Sequence, residues 1–93
     1  MSITDDIQVE RQRQHELWDR HHEHGYGDCS HPTVDTAVKV AVLTEEVGEV
    51  ARAFLAGNPA NMRTELIQVA AVAVAIIEGI DALAVAITES SDQ

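Results

Sequence analysis

Apolar and polar positions along the chain fall into three helical patterns, separated by two clusters of glycine and proline at Gly25 to Pro32 and Gly57 to Pro59. The first pattern, from about Asp5 to His24, is mostly polar, with Ile3, Ile7, Leu17 and Trp18 as its apolar content. Thr4 stands where an N-cap belongs, and Asp5 and Asp6 complement the dipole of the first turn. The second pattern starts near Thr33, after Pro32, and runs to about Ala56, where Gly57 supplies a left-handed cap. Asn58-Pro59 then offers an N-cap followed by a proline in the first helical position. A link this short predicts an antiparallel helical hairpin. The third helix is expected from about Pro59 to Glu78, with Gly79 interrupting it before a short amphipathic piece, Asp81 to Glu89.

Leu66 to Ile77 is apolar on nearly every face except at Gln68, so this helix has to be covered all round. The run is shorter than the roughly 20 apolar residues that span a bilayer and reads as a core helix. Two other helices of one chain can hardly enclose it, which predicts a homodimer or homotetramer. The expected architecture is all-α: residues 1–93 form one domain in which a helical hairpin, an N-terminal helix and a short C-terminal helix contribute to a four-helix-bundle core completed by oligomerisation. Trp18, Tyr26 and Phe54 are the only aromatic residues, so packing must rely on closely spaced aliphatic side chains.

Composition narrows the partners. Six basic against sixteen acidic side chains give a formal charge of -10, which repels nucleic acid and anionic membrane surfaces. A phosphate-bearing substrate would have to arrive with divalent cations that invert the local field. The single cysteine, Cys29, forms no intrachain disulfide, and the polar start Met1 to Asp6 lacks the apolar stretch of a signal peptide, so a cytoplasmic protein is expected.

The second helix carries the run Glu45-Glu46-Val47-Gly48-Glu49. On a helical wheel Val40, Leu43, Val47, Val50 and Phe54 form the expected core stripe, with Glu46 roughly 60° and Glu49 roughly 120° away from it, flanking Val42. Buried carboxylates must take protons, meet cations or hold a metal. Lys39 lies one heptad before Glu46, and Arg52 points away from the pair on the wheel. All-oxygen donors favour Mg²⁺ or Mn²⁺, whereas the same run on an exposed face would be a solvated acidic patch. Counted from the hairpin turn, Glu49 and Glu65 sit about 12 and 10 Å up their arms, and Glu46 and Gln68 match one turn farther on. Four oxygen-bearing side chains are thus expected to converge. Glu78 and Asp81 are about 30 Å beyond the turn, too far to reach Glu49 within one chain.

These residues resemble the signature of the MazG-like family of all-α nucleoside triphosphate pyrophosphohydrolases: Glu45-Glu46-x-x-Glu49, then Glu65-Leu66-Ile67-Gln68 opening an apolar helix, then Glu78-Gly79-Ile80-Asp81. The likeness is strongest over residues 34–87. It implies Mg²⁺-dependent hydrolysis of a nucleoside triphosphate to the monophosphate and pyrophosphate, with Glu46, Glu49 and Glu65 as metal ligands. Gln68 stands where the family has a metal-binding aspartate, and is left as a weaker ligand through its carbonyl or a hydrogen-bonding neighbour of the ligands; the number of metals stays open. Glu45 is either the residue that orients or deprotonates the attacking water or an ordinary surface glutamate. Lys39 and Arg63 are candidates for phosphate contacts or for surface ion pairs, and Trp18 for stacking a base or anchoring its helix.

His21, His22, His24, Cys29 and His31 lie within eleven residues, a density of nitrogen and sulfur donors that suits zinc, although the spacing matches no defined zinc motif. Two further readings therefore accompany the enzyme. Gln68 can mark a site that has lost turnover and serves as a nucleotide- or metal-binding module, or the histidine loop can organise a zinc protein.

Overall fold

A computed structural model of the protein describes residues 2–21 and 35–91, without the side chains of residues 18–21 and 91. The described residues form three helices: α1 (Ile3–His21), α2 (Thr36–Leu55) and α3 (Pro59–Ser91). No strand occurs among the described residues. The all-α class expected from the sequence is what the chain adopts.

Hydrogen bonds at the helix ends explain where each begins. Ser2, rather than Thr4, closes α1: the Asp5 N–H donates to Ser2 Oγ at 3.1 Å, and the Ser2 N–H donates to the Asp5 carboxylate at 3.4 Å. This reciprocal pair is a capping box. Helix α2 starts after Thr33, because Asp35 is its cap, accepting from the Ala37 N–H at 2.7 Å.

At the hairpin, Gly57 takes φ 69°. Its N–H donates to the Phe54 carbonyl at 3.0 Å and the Asn58 N–H to the Ala53 carbonyl at 3.3 Å, which is a Schellman cap. Asn58 then caps α3 through its side chain, which accepts from the Asn61 N–H at 3.0 Å. A Cβ added at Gly57 would touch nothing within 4 Å, so only its dihedral resists substitution. Gly57→Ala is expected to cost about 1 kcal/mol in urea unfolding. Gly48 also has open space, lies in α2 and has no positive φ, so Gly48→Ala should stabilise by roughly 0.5–1 kcal/mol.

Gly79 does not interrupt α3, which continues unbroken for 33 residues. A mid-helix glycine costs only about 1 kcal/mol. Gly79 is buried on the packed face, on the same side as Val72 and Ala75, so tertiary contact outweighs that penalty.

Helix α3 is the spine on which both others pack. It is also long and apolar enough, by length and composition, to cross a membrane. Its fully buried apolar partners are small: Ala71, Val72 and Ala75 on α3 itself, and Ala53 on α2. Helix α1 docks through polar groups. Arg63 Nη2 pairs with Asp6 at 2.7 Å, Arg11 Nη1 with Glu78 at 2.6 Å, and the buried Gln14 approaches the Gln68 carbonyl at 3.4 Å.

The core stripe expected on α2 is not the face that α2 turns to α3. Val40, Val47 and Phe54 are 54%, 51% and 68% exposed, while Lys39 and Ala53 are buried. Leu43 and Val50 of that stripe are half-buried at its edge, and the centre of the contact face falls on Glu46, midway between Lys39 and Ala53, a rotation of roughly 60–80° from that expectation.

Candidate functional site

That rotation decides the site. Glu46 projects from the middle of α2 at a position where a helix contact ordinarily carries an aliphatic side chain, and Glu65 and Gln68 face it from the second and third turns of α3. The end of the Gln68 amide lies 2.7 Å from Glu65 Oε2 and 3.0 Å from Glu46 Oε2. With its nitrogen turned toward them, Gln68 donates to both carboxylates and holds them together across the hairpin.

Helix α1 adds a third carboxylate. Glu10 is buried, 8% exposed, and receives Arg13 Nε at 2.7 Å, Arg13 Nη2 at 2.6 Å and Gln14 Nε2 at 2.9 Å. Burial pushes the Glu46 carboxyl above the usual glutamate range, and the negative charges of Glu65, Glu45, Glu10 and Glu49 push it further. Arg13 is shifted upward as well, which for a base means that its charged form is favoured. The hydrogen bonds to Glu10 contribute most, burial opposes them, and the fields of Glu10, Glu46 and Glu65 add smaller upward pushes.

The remaining expected site residues lie around this centre. Glu49 is drawn off by Arg52, whose Nη1 donates to both carboxylate oxygens at 2.7 Å, so Arg52 does not point away as the wheel suggested. Glu45 is exposed. Lys39 is buried one heptad before Glu46, about 10 Å along the same face. Arg63 is held by Asp6 and ties α1 to α3. The Trp18 and His21 side chains, and the loop bearing His22, His24, Cys29 and His31, lie outside the described residues.

Among the described residues no three Asp, Glu, His or Cys side chains form a ready metal cage. The convergent set is two carboxylates and an amide, with Glu49 and Glu10 engaged by arginines beside them. No family model, curated protein or solved structure matches the chain.

Wider hollows are placed elsewhere. One of about 260 Å³ is lined by Gln8, Arg11, Gln12 and His15, and an apolar one of about 320 Å³ sits at the hairpin turn beside Phe54 and Met62. A smaller hollow of about 140 Å³ between α1 and α3 is lined in part by Glu10, Arg63 and Thr64.

Glu10, Arg13 and Gln14 were not singled out from the sequence. The available signal was the stripe Asp6, Glu10, Gln14, three polar groups at the four-residue spacing of one helix face. Removing Arg13 leaves Glu10 buried with Gln14 alone. Arg13→Gln is therefore expected to destabilise by about 1–2 kcal/mol in urea unfolding, and to raise the Glu46 titration seen by carboxyl carbon NMR.

Proposed function

We propose that this protein is a Mg²⁺-dependent nucleoside triphosphate pyrophosphohydrolase, its metal held between the two arms of the hairpin. The observation that carries the reading is the meeting of Glu46, Glu65 and Gln68 across α2 and α3. Burial and the neighbouring carboxylates disfavour ionised Glu46, and a bound cation would compensate that charge.

The residues fit a hard cation. Ligands at adjacent corners of an octahedral Mg²⁺ shell, each 2.0–2.1 Å from the ion, are about 2.9 Å apart. The Gln68 amide end stands 2.7 and 3.0 Å from its two carboxylate neighbours, so its carbonyl turned inward would lie at that spacing from an oxygen of each. Glu46, Glu65 and Gln68 would hold the ion, with Glu49 joining if it leaves Arg52. Bound Mg²⁺ supplies neutralisation of phosphate oxygens and a more acidic coordinated water. Glu45, exposed and next to Glu46 in the chain, is our candidate for orienting a water there or accepting its proton. Arg13, half exposed at the rim, can exchange Glu10 for a substrate phosphate.

A second reading has its own support. With the Gln68 nitrogen inward, both carboxylates are satisfied without any cation, as in a site that binds nucleotide or metal but has lost turnover. One experiment separates the two. Mn²⁺ binding, followed by electron paramagnetic resonance, is paired with pyrophosphate release from a panel of canonical and damaged nucleoside triphosphates. Turnover with Mn²⁺ binding supports the enzyme; Mn²⁺ binding and nucleotide-induced thermal stabilisation without product support the binding module. Absence of both removes both.

A further inference from the structure

Among the described residues, no arginine or lysine is bonded to Glu46 or Glu65, whereas Glu10 is held by Arg13 and Gln14, and Glu49 by Arg52. What stands between Glu46 and Glu65 is the Gln68 amide, 3.0 Å from the first and 2.7 Å from the second. All three side chains are half-buried. Glu46 comes from α2, and Glu65 and Gln68 from α3, so the bond to Glu46 crosses the hairpin.

An amide differs in kind from the alternatives at this position. An arginine or lysine would neutralise the pair permanently and occupy the oxygens that a cation needs. An aspartate or glutamate would add a third like charge beside the other two, and the empty centre would repel itself. Glutamine is neutral, so both carboxylates keep their charge. The two ends of its amide are nearly equal in shape and opposite in hydrogen-bonding character. A half-turn about the last side-chain bond, a torsion with a broad two-fold profile, exchanges donor for acceptor and leaves both helices where they are. Nitrogen inward satisfies the carboxylates when no cation is present; oxygen inward offers a cation one more hard donor.

We propose that Gln68 is a reversible clasp: its amide N–H groups tie Glu46 to Glu65 across the hairpin while the centre is empty, and a divalent cation binds as the amide turns its carbonyl inward. A cation site at this centre is presupposed, as in the proposed enzyme; hydrolysis is not. The N–H bonds stabilise the hairpin without metal, and the same bonds have to be given up before a cation is held. Stability of the empty chain and affinity for the cation are therefore set against each other at one residue. Replacing Gln68 by glutamate, equal in length, should reverse both: the clasp is lost, a like charge is added, and the cation gains a charged ligand in place of a neutral one.

The full chain and its Gln68→Glu variant are compared at pH 8, well above the ordinary carboxylate range. In EDTA the variant should melt about 5 °C or more below the natural chain, and Mn²⁺ added alone, followed by electron paramagnetic resonance, should bind the variant at least about tenfold more tightly. A third measurement reads the amide directly, in a way that a purely structural glutamine would not respond to. The side-chain amide protons of Gln68, assigned through bonds to their own backbone, should exchange slowly with water in EDTA and at least about tenfold faster in saturating Mg²⁺. A variant that melts no lower in EDTA, equal Mn²⁺ affinities, or amide exchange indifferent to Mg²⁺ would overturn the clasp. Mn²⁺ binding to neither chain overturns the cation site and the clasp with it. A nucleotide panel that releases no pyrophosphate, with all three results in place, overturns the hydrolase alone and upholds the clasp. If Gln68→Glu does not fold, amide exchange in the natural chain decides the matter.

Discussion

Glu46→Gln will abolish pyrophosphate release and, in the same molecule, raise the temperature of unfolding. The loss should reach at least about a hundredfold in kcat/KM, because an amide cannot supply the charge that holds a divalent cation against triphosphate. The gain in stability has a separate origin. Glu46 is half-buried among Glu65, Glu45, Glu10 and Glu49, and its pKa lies above the ordinary glutamate value in the folded chain.

A carboxyl with a raised folded pKa binds its proton more tightly in the native state. Its destabilising effect is therefore absent below the unfolded value of about 4.3 and grows as pH rises through the folded value. The stability difference between Glu46→Gln and the natural chain should be widest at neutral pH and close as pH falls toward that value. Partial exposure screens the effect, so a gain on the order of 1 kcal/mol or less is expected at pH 7. Parallel calorimetric scans at several pH values measure it. A variant that loses stability at neutral pH would show that the carboxylate is there for the fold.

Ala71→Leu should produce the largest loss of stability. Ala71 and Ala75 are completely buried one turn apart on α3, and together with Val72 and Ala53 they form the close-packed centre of the chain. Three extra carbons there have no room unless a neighbouring helix moves outward. Overpacking of this kind costs about 1–3 kcal/mol, which in a domain of this size lowers the unfolding temperature by several degrees per kcal/mol. Val85→Leu, on the exposed end of the same helix, should change stability by no more than about 0.5 kcal/mol. Circular dichroism melts of both variants make the comparison. Equal melting temperatures would mean that the alanine contact is not what holds the helices.

The same small contact explains what could and could not be read from the residues. The hairpin was legible because Gly57, Asn58 and Pro59 each have a local physical role that distant contacts do not alter. Equal heights on two antiparallel arms, from the rise per residue, bring Gln68 to Glu46, but the same count set Glu49 level with Glu65, and the Glu49 carboxylate is instead held by Arg52. The orientation of α2 was not legible. Counting aliphatic residues selects Val40, Leu43, Val47, Val50 and Phe54 as the inward face, yet only Leu43 and Val50 are half-buried, Val40, Val47 and Phe54 are exposed, and the contact face is centred on Lys39, Glu46 and Ala53. A helix with two usable faces does not reveal from its pattern which one meets its own chain. Gly79 misled for a related reason: a local propensity was overridden by burial that only the assembled helices create. The role of α1 was hidden because it docks through Asp6, Arg11 and Gln14, which a search for hydrophobic periodicity passes over.

Arginine–carboxylate bridges hold α1, whereas a buried alanine seam holds the hairpin, so the two attachments answer to different solvents. At high ionic strength the bridges Asp6–Arg63 and Arg11–Glu78 are screened while apolar contact is not. Glu10 and Arg13 ride on that helix. Dissolved electrolyte can thus set how firmly their side of the carboxylate centre stays closed, with α2 and α3 left as they were.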